Sequence, residues 1–137
     1  MSAVKELIRT ESNETISFGD YTLDVKAKLQ DYEFKGDLYK VKTYRDITKL
    51  ERNGMFVYES VPGTAVNDFA AADTGVSFLV EGGQDVQITL GLSDDCEYDV
   101  KIGSEDAGVM KTGRSGKLTL SVELAEGTQA AVEVSKR

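Results

Sequence analysis

A period of two runs through most of this chain, and it limits the possible folds more than any other feature. Tyr21, Leu23, Val25, Ala27 and Leu29 alternate with Thr22, Asp24, Lys26 and Lys28. Successive side chains of an extended strand point to opposite faces, so such a run has one apolar face and one polar face. Tyr39, Val41 and Thr43 alternate in the same way with Lys40, Lys42 and Tyr44. The pattern returns in Val76/Phe78/Val80, Val86/Ile88/Leu90, Tyr98/Val100/Ile102, Leu118/Leu120/Val122/Leu124 and Ala130/Val132/Val134. Turn signals separate the runs: Lys35-Gly36-Asp37, Arg52-Asn53-Gly54, Glu81-Gly82-Gly83, Arg114-Ser115-Gly116 and Glu126-Gly127. Short alternating runs between Gly-rich turns predict an all-β protein, an antiparallel β-sandwich or barrel. Helix is scarce. Residues 3–9 fit one helical turn or a strand, and Thr43 to Leu50 fit a short turn, each too short to be a stable helix alone.

The only proline lies in Val61-Pro62-Gly63 and suggests a division. Residues 1–61 form an aromatic-rich stretch of about five strands, with eight of the eleven Tyr and Phe residues. Residues 62–137 form an acidic stretch of about seven shorter strands, nearly free of aromatics. The division reads either as two small β lobes or as a turn within a single domain, 1–137. At 137 residues a single core suffices without disulfide or metal support.

Charge and composition exclude several kinds of chemistry. Net charge is −8, and residues 61–137 hold six Lys/Arg against thirteen Asp/Glu. That half repels phosphate backbones, so nucleic acid is not an expected partner. Residues 1–60 are balanced, ten against eleven, and leave room for a local basic patch. There is no histidine and one cysteine, Cys96, so an internal disulfide, a Cys–His nucleophile and a His or thiolate metal site are impossible. The acidic neighbours of Cys96 oppose thiolate formation, and the residue reads as structural. The amino terminus lacks the apolar run of roughly 7–15 residues that a signal peptide needs, and no window approaches a membrane span of about 20. The expected location is cytoplasmic, with no membrane partner, although a phage-type or specialised export route would leave no mark.

The chain carries two resemblances to known proteins. Val86 to Ile102 places Leu92 six residues before Tyr98 and continues in alternation. This resembles the corner of fibronectin type III-like sandwiches, where a tyrosine hydroxyl bonds back to the backbone as the chain passes between sheets. The resemblance implies an immunoglobulin-like second half. Val4-Lys5-Glu6-Leu7-Ile8-Arg9-Thr10-Glu11, Ile16-Ser17-Phe18-Gly19-Asp20-Tyr21-Thr22-Leu23 and Gly116-Lys117-Leu118-Thr119-Leu120-Ser121-Val122-Glu123-Leu124 resemble short proteins of anaerobic Firmicutes labelled endosialidase. The label implies hydrolysis of sialic-acid glycans. Endosialidases resemble large phage tailspikes with a six-bladed propeller, and 137 residues supply too few strands for one. For this chain the resemblance therefore implies an accessory or virion-associated domain. A hydrolase reading would need Arg9, Arg45, Arg52, Arg114 and Arg137 to gather in one pocket.

The remaining motifs carry little chemistry. Gly108 to Ser115 has the glycine spacing of a phosphate loop, but Arg114 replaces the required lysine and a strand follows where a helix is needed. Glu81, Asp85, Glu97, Asp99, Glu123 and Glu133 fall mostly on polar strand positions and read as a solvated face rather than a glycosidase pair. Ser93-Asp94-Asp95 and Ser104-Glu105-Asp106 lack the spacing of a calcium loop. No catalytic residue, cofactor or metal is expected.

Binding character concentrates in the first half. Tyr32, Phe34, Tyr39, Tyr44, Phe56 and Tyr58 interleave with Lys35, Lys40, Lys42, Arg45 and Lys49. Tyr32, Phe34, Tyr39, Tyr44, Arg45, Phe56 and Tyr58 form the candidate binding set, unless the rings fill the core of a chain without tryptophan. A β-sheet also has edges that pair with other strands unless guarded. Val25 to Lys28 and Tyr39 to Lys42 carry guarding lysines, whereas Leu118, Leu120 and Val122 mark a less protected edge for self-association. The expected function is a non-enzymatic structural or interaction protein whose partner is itself or another protein. A carbohydrate-binding module is the alternative.

Overall fold

A computed structural model describes residues 3–137. It is a sandwich-like pair of antiparallel sheets, as the alternation predicts, with no helix among the described residues. The strands are β1 (Ile8–Thr10), β2 (Ile16–Phe18), β3 (Ala27–Phe34), β4 (Asp37–Tyr44), β5 (Ile47–Arg52) and β6 (Met55–Val61). They continue as β7 (Ala65–Ala72), β8 (Gly75–Glu81), β9 (Val86–Gly91), β10 (Glu97–Ile102), β11 (Glu105–Lys111), β12 (Lys117–Val122) and β13 (Gln129–Lys136). One sheet has the order β1-β2-β7-β8-β13-β10-β11 and the other β12-β9-β6-β5-β4-β3. Both sheets draw strands from either side of Pro62, which stands where the chain leaves β6 for β7. One continuous apolar core includes residues from both stretches.

The apolar positions read from the alternation line that core. Val76, Phe78 and Val80 of β8, Val86, Ile88 and Leu90 of β9, and Val132 and Val134 of β13 are all buried. Phe18, Tyr58, Phe69 and Phe78 form a buried aromatic cluster, edge-on except for the tilted Phe69–Phe78 pair, with Phe18 and Tyr58 centroids 5.2 Å apart. Such a cluster supplies the large buried rings that tryptophan often supplies elsewhere.

Two local expectations are corrected. Tyr21 to Lys26 is turn and irregular chain rather than the start of a strand, and Val25 is 77% exposed. Thr43 to Leu50 is a tight hairpin between β4 and β5, with Tyr44 opposite Ile47. Of the two options for residues 3–9, only Ile8 and Arg9 are in strand.

The chain passes repeatedly between sheets, and buried hydroxyl groups fasten these crossings. The Asp20 N–H, just after β2, donates to Thr43 Oγ1 at 2.9 Å. Thr43 and Thr48 hydroxyls are 2.8 Å apart, and Thr48 Oγ1 donates to the Thr64 carbonyl at 2.8 Å. A hydroxyl has one hydrogen, so Thr48 must accept from Thr43, and the chain of donors runs from Asp20 to Thr64 in one direction. The Thr64 N–H returns to Thr48 Oγ1 at 3.0 Å, and the Thr64 hydroxyl meets Tyr58 and Ser60, each at 2.8 Å. Backbones approach closely here: a Cβ on Gly63 would overlap the Tyr44 carbonyl oxygen, and one on Gly19 the Thr64 carbonyl oxygen. A second fastening joins two other crossings, where Thr112 Oγ1 donates to the Ser93 carbonyl at 2.6 Å and accepts from the Cys96 N–H at 3.0 Å. Beside it the Tyr98 hydroxyl accepts the Ser93 N–H at 3.0 Å.

Thr64→Val is expected to destabilise the protein by about 1–3 kcal/mol, because it strands the Tyr58 and Ser60 hydroxyls in the core. Denaturant titration checks this. Stability is also expected to fall as pH rises above about 10. Burial raises the Tyr58 phenol, so the folded state keeps it neutral while the unfolded chain ionises. The contribution is complete below the unfolded value and is lost as pH climbs towards the folded one. Tyr58→Phe should flatten this alkaline loss.

Candidate functional site: the β12 edge

Each sheet has two edges, and three of the four carry devices that discourage pairing. β1 has three residues. The β10–β11 ladder shifts register between Val100 and Lys101, and Gly108 of β11 has φ of 91°. β3 shifts register between Leu29 and Tyr32, with Asp31 at φ of 61°, and carries Lys28. Bulges, short length and lysines are the usual guards of an edge. Val25 to Lys28 thus leads into an edge, whereas Tyr39 to Lys42 lies on β4, one strand inside it.

β12 has no bulge and no residue with positive φ, and its one lysine, Lys117, is at its first position with its ammonium over the Phe56 ring. Its register with β9 runs unbroken from Lys117 opposite Gly91 to Val122 opposite Val86. Leu118, Leu120 and Val122 point into the core and are buried. Their backbone groups are also engaged. The Leu92 N–H donates to the Gly116 carbonyl at 2.7 Å, and the Leu124 N–H reaches Asp85 Oδ1 at 3.0 Å. In an antiparallel ladder hydrogen-bonded pairs alternate, so residues 118, 120 and 122 direct their N–H and C=O groups at β9. Lys117, Thr119 and Ser121 therefore turn theirs outward. The sequence reading names Leu118, Leu120 and Val122 at this edge, but the residues whose backbone groups are turned outward are Lys117, Thr119 and Ser121. Side-chain alternation gives the buried face and does not reveal which way the backbone groups point.

The aromatic candidates do not share one face. Tyr58 and Tyr39 are in the core. Tyr32 and Phe34 pack against it from β3, the Tyr32 hydroxyl lying 2.8 Å from Thr10 Oγ1. Tyr44 is on the outer face of the six-stranded sheet, with the Lys26 ammonium 5.6 Å from its ring centroid. Arg45 is exposed in the adjoining turn, 3.8 Å from Asp24 and 3.7 Å from Asp46. Phe56 is at the far end of β6 under Lys117, whose ammonium is 4.8 Å from the ring centroid. Of the arginines, Arg52 alone lines the cleft beside the β5–β6 turn.

The local basic patch that the balanced first half leaves room for takes a definite form. Lys28, Lys42 and Lys49 are directly opposite one another across β3, β4 and β5 on the outer face. Lys49 is 3.6 Å from Glu51, while Lys42 has no ion pair among the described residues. Burial and the neighbouring ammonium groups of Lys26, Lys28, Lys49 and Lys40 hold Lys42 below the usual lysine pKa. Like charges directly opposite oppose sheet formation.

Comparison with family models, with curated proteins and with solved structures gives no match to this chain. Lys42→Thr is expected to stabilise the fold by about 0.5 kcal/mol. The gain should shrink at ~1 M salt, where screening is nearly complete. Denaturant midpoints at the two salt concentrations check both statements.

Proposed function

We propose that this chain is a non-enzymatic assembly protein that associates by adding a strand across β12, most simply from a second copy. The bulge-free β12 edge, whose one lysine is drawn back over Phe56, carries this reading. Two copies meeting edge to edge in antiparallel fashion about a twofold axis would join their six-stranded sheets into one continuous sheet. Main-chain hydrogen bonds would supply affinity, and the outward Thr119 and Ser121 would set the register. The same edge would serve a strand from a larger assembly, the accessory role that the endosialidase-like resemblance implies. The aromatic residues contribute no common surface to this reading, since Tyr39 and Tyr58 belong to the core.

Light scattering over a range of concentrations is expected to give a defined oligomer. Ser121→Pro removes an outward N–H and leaves the bonds to β9 intact, so it should abolish association with little change in Tm. Leu120→Ala acts differently: it opens a core cavity and should cost about 2–5 kcal/mol of folding stability. A wild-type chain that stays monomeric at high concentration, or a Ser121→Pro chain that associates normally, would refute self-assembly through β12.

A further inference from the structure

The two sheets part at one end, leaving a cleft of about 450 Å³ between the β5–β6 turn, the β7–β8 hairpin and the crossing from β9 to β10. Its cause is in the sequence. Ala71 pairs with the buried Val76 and so is on the inner face of β7, yet it is exposed. Its methyl group stands where a larger side chain would fill the space. Phe56, Val57, Phe69, Val76, Leu90 and Tyr98 line the cleft, and its volume is within the range of small-molecule sites.

Tyr98 is 1% exposed, and its hydroxyl accepts the Ser93 N–H. No acceptor for its own hydrogen is found among the described residues, so a buried donor remains available to an occupant. Arg52 and Lys117 line the mouth from the six-stranded sheet, and Lys117 is held against the ring of Phe56. Asp73 lines it from the β7–β8 hairpin, and Asp94 lines it from the crossing between β9 and β10. None of these four charges forms an ion pair among the described residues. Asp94 Oδ1 is directed at Gly116, where an added Cβ would come within 2.9 Å of it.

We propose that this cleft binds a small amphiphilic carboxylate. Its apolar ring or chain lies between the sheets, and its carboxylate meets Lys117 and Arg52. Asp73, on the β7–β8 hairpin, repels the anion and so orients it towards Lys117 and Arg52. The Tyr98 hydroxyl donates to an acceptor on the buried part.

The test uses 8-anilinonaphthalene-1-sulfonate as a fluorescent probe on the full chain, with 2-naphthoate and neutral 2-naphthamide as competitors. Saturable binding at one site per chain is expected, with naphthoate displacing the probe at lower concentration than the amide. Ala71→Leu fills the cleft and should abolish probe binding while Tm holds or rises. Lys117→Gln should weaken naphthoate about tenfold and leave the amide unchanged. Probe binding that is absent, or that survives Ala71→Leu, overturns the site. Equal competition by acid and amide overturns the carboxylate.

Discussion

The buried chain of hydroxyls from Asp20 to Thr64 is the constraint on which the sandwich depends. Each sheet satisfies its own backbone groups, so ladder hydrogen bonds do nothing to hold one sheet against the other. The apolar core provides the attraction, but it is non-directional and would tolerate sliding. Direction comes from polar side chains at the crossings. Thr43 and Thr48 tie the exit from β2 and the entry to β7 to the inner face of the six-stranded sheet. Thr112 does the same where β9 passes to β10 and β11 passes to β12. Asp85 joins the entry to β9 to the end of β12. Among the described residues every buried side-chain nitrogen or oxygen has at least one hydrogen-bond partner, so the polar interior adds specificity.

Much of this architecture was legible because alternation and turn chemistry are local. The alternating runs at Val76, Val86, Tyr98, Leu118 and Ala130 became strands with their apolar residues inward, and the glycine turns fell between strands. β7 and β11 were not legible as alternating runs. Ala70-Ala71-Ala72 offers little apolar contrast, and β7 contains a register shift between Asn67 and Ala70 that breaks the period. β11 carries Gly108 and exposed polar residues, the composition of a loop, and is in strand because β10 supplies its partner. Tyr21 to Lys26 failed in the opposite direction. Its alternation was regular, but the crossing from one sheet to the other occupies those residues and overrides the pattern.

The candidate sites were less legible than the fold, because they depend on which strands are neighbours. Phe34 and Tyr44 look equivalent in sequence, yet one packs against the core and the other is on the outer face of the sheet. Lys28, Lys42 and Lys49 become a row through a register that no local pattern encodes. The same holds for β12. Its low charge was visible in the sequence, but an unguarded strand matters only at an edge, and edge position follows from the whole topology.

The contrast between the two edges of the six-stranded sheet has a physical reading. At β3 the fold accepts a bulge, a residue with positive φ and a line of mutually repelling lysines, each of which costs stability. At β12, in the same sheet, it accepts none of these. Guarding β12 would have been simple, since Thr119 and Ser121 already face outward and a lysine at either would add no strain to the β9 ladder. The two edges of this sheet therefore differ in kind: β3 is interrupted by a bulge and a positive-φ residue, each a guard against pairing, whereas β12 keeps an unbroken register with one lysine, Lys117, at its start.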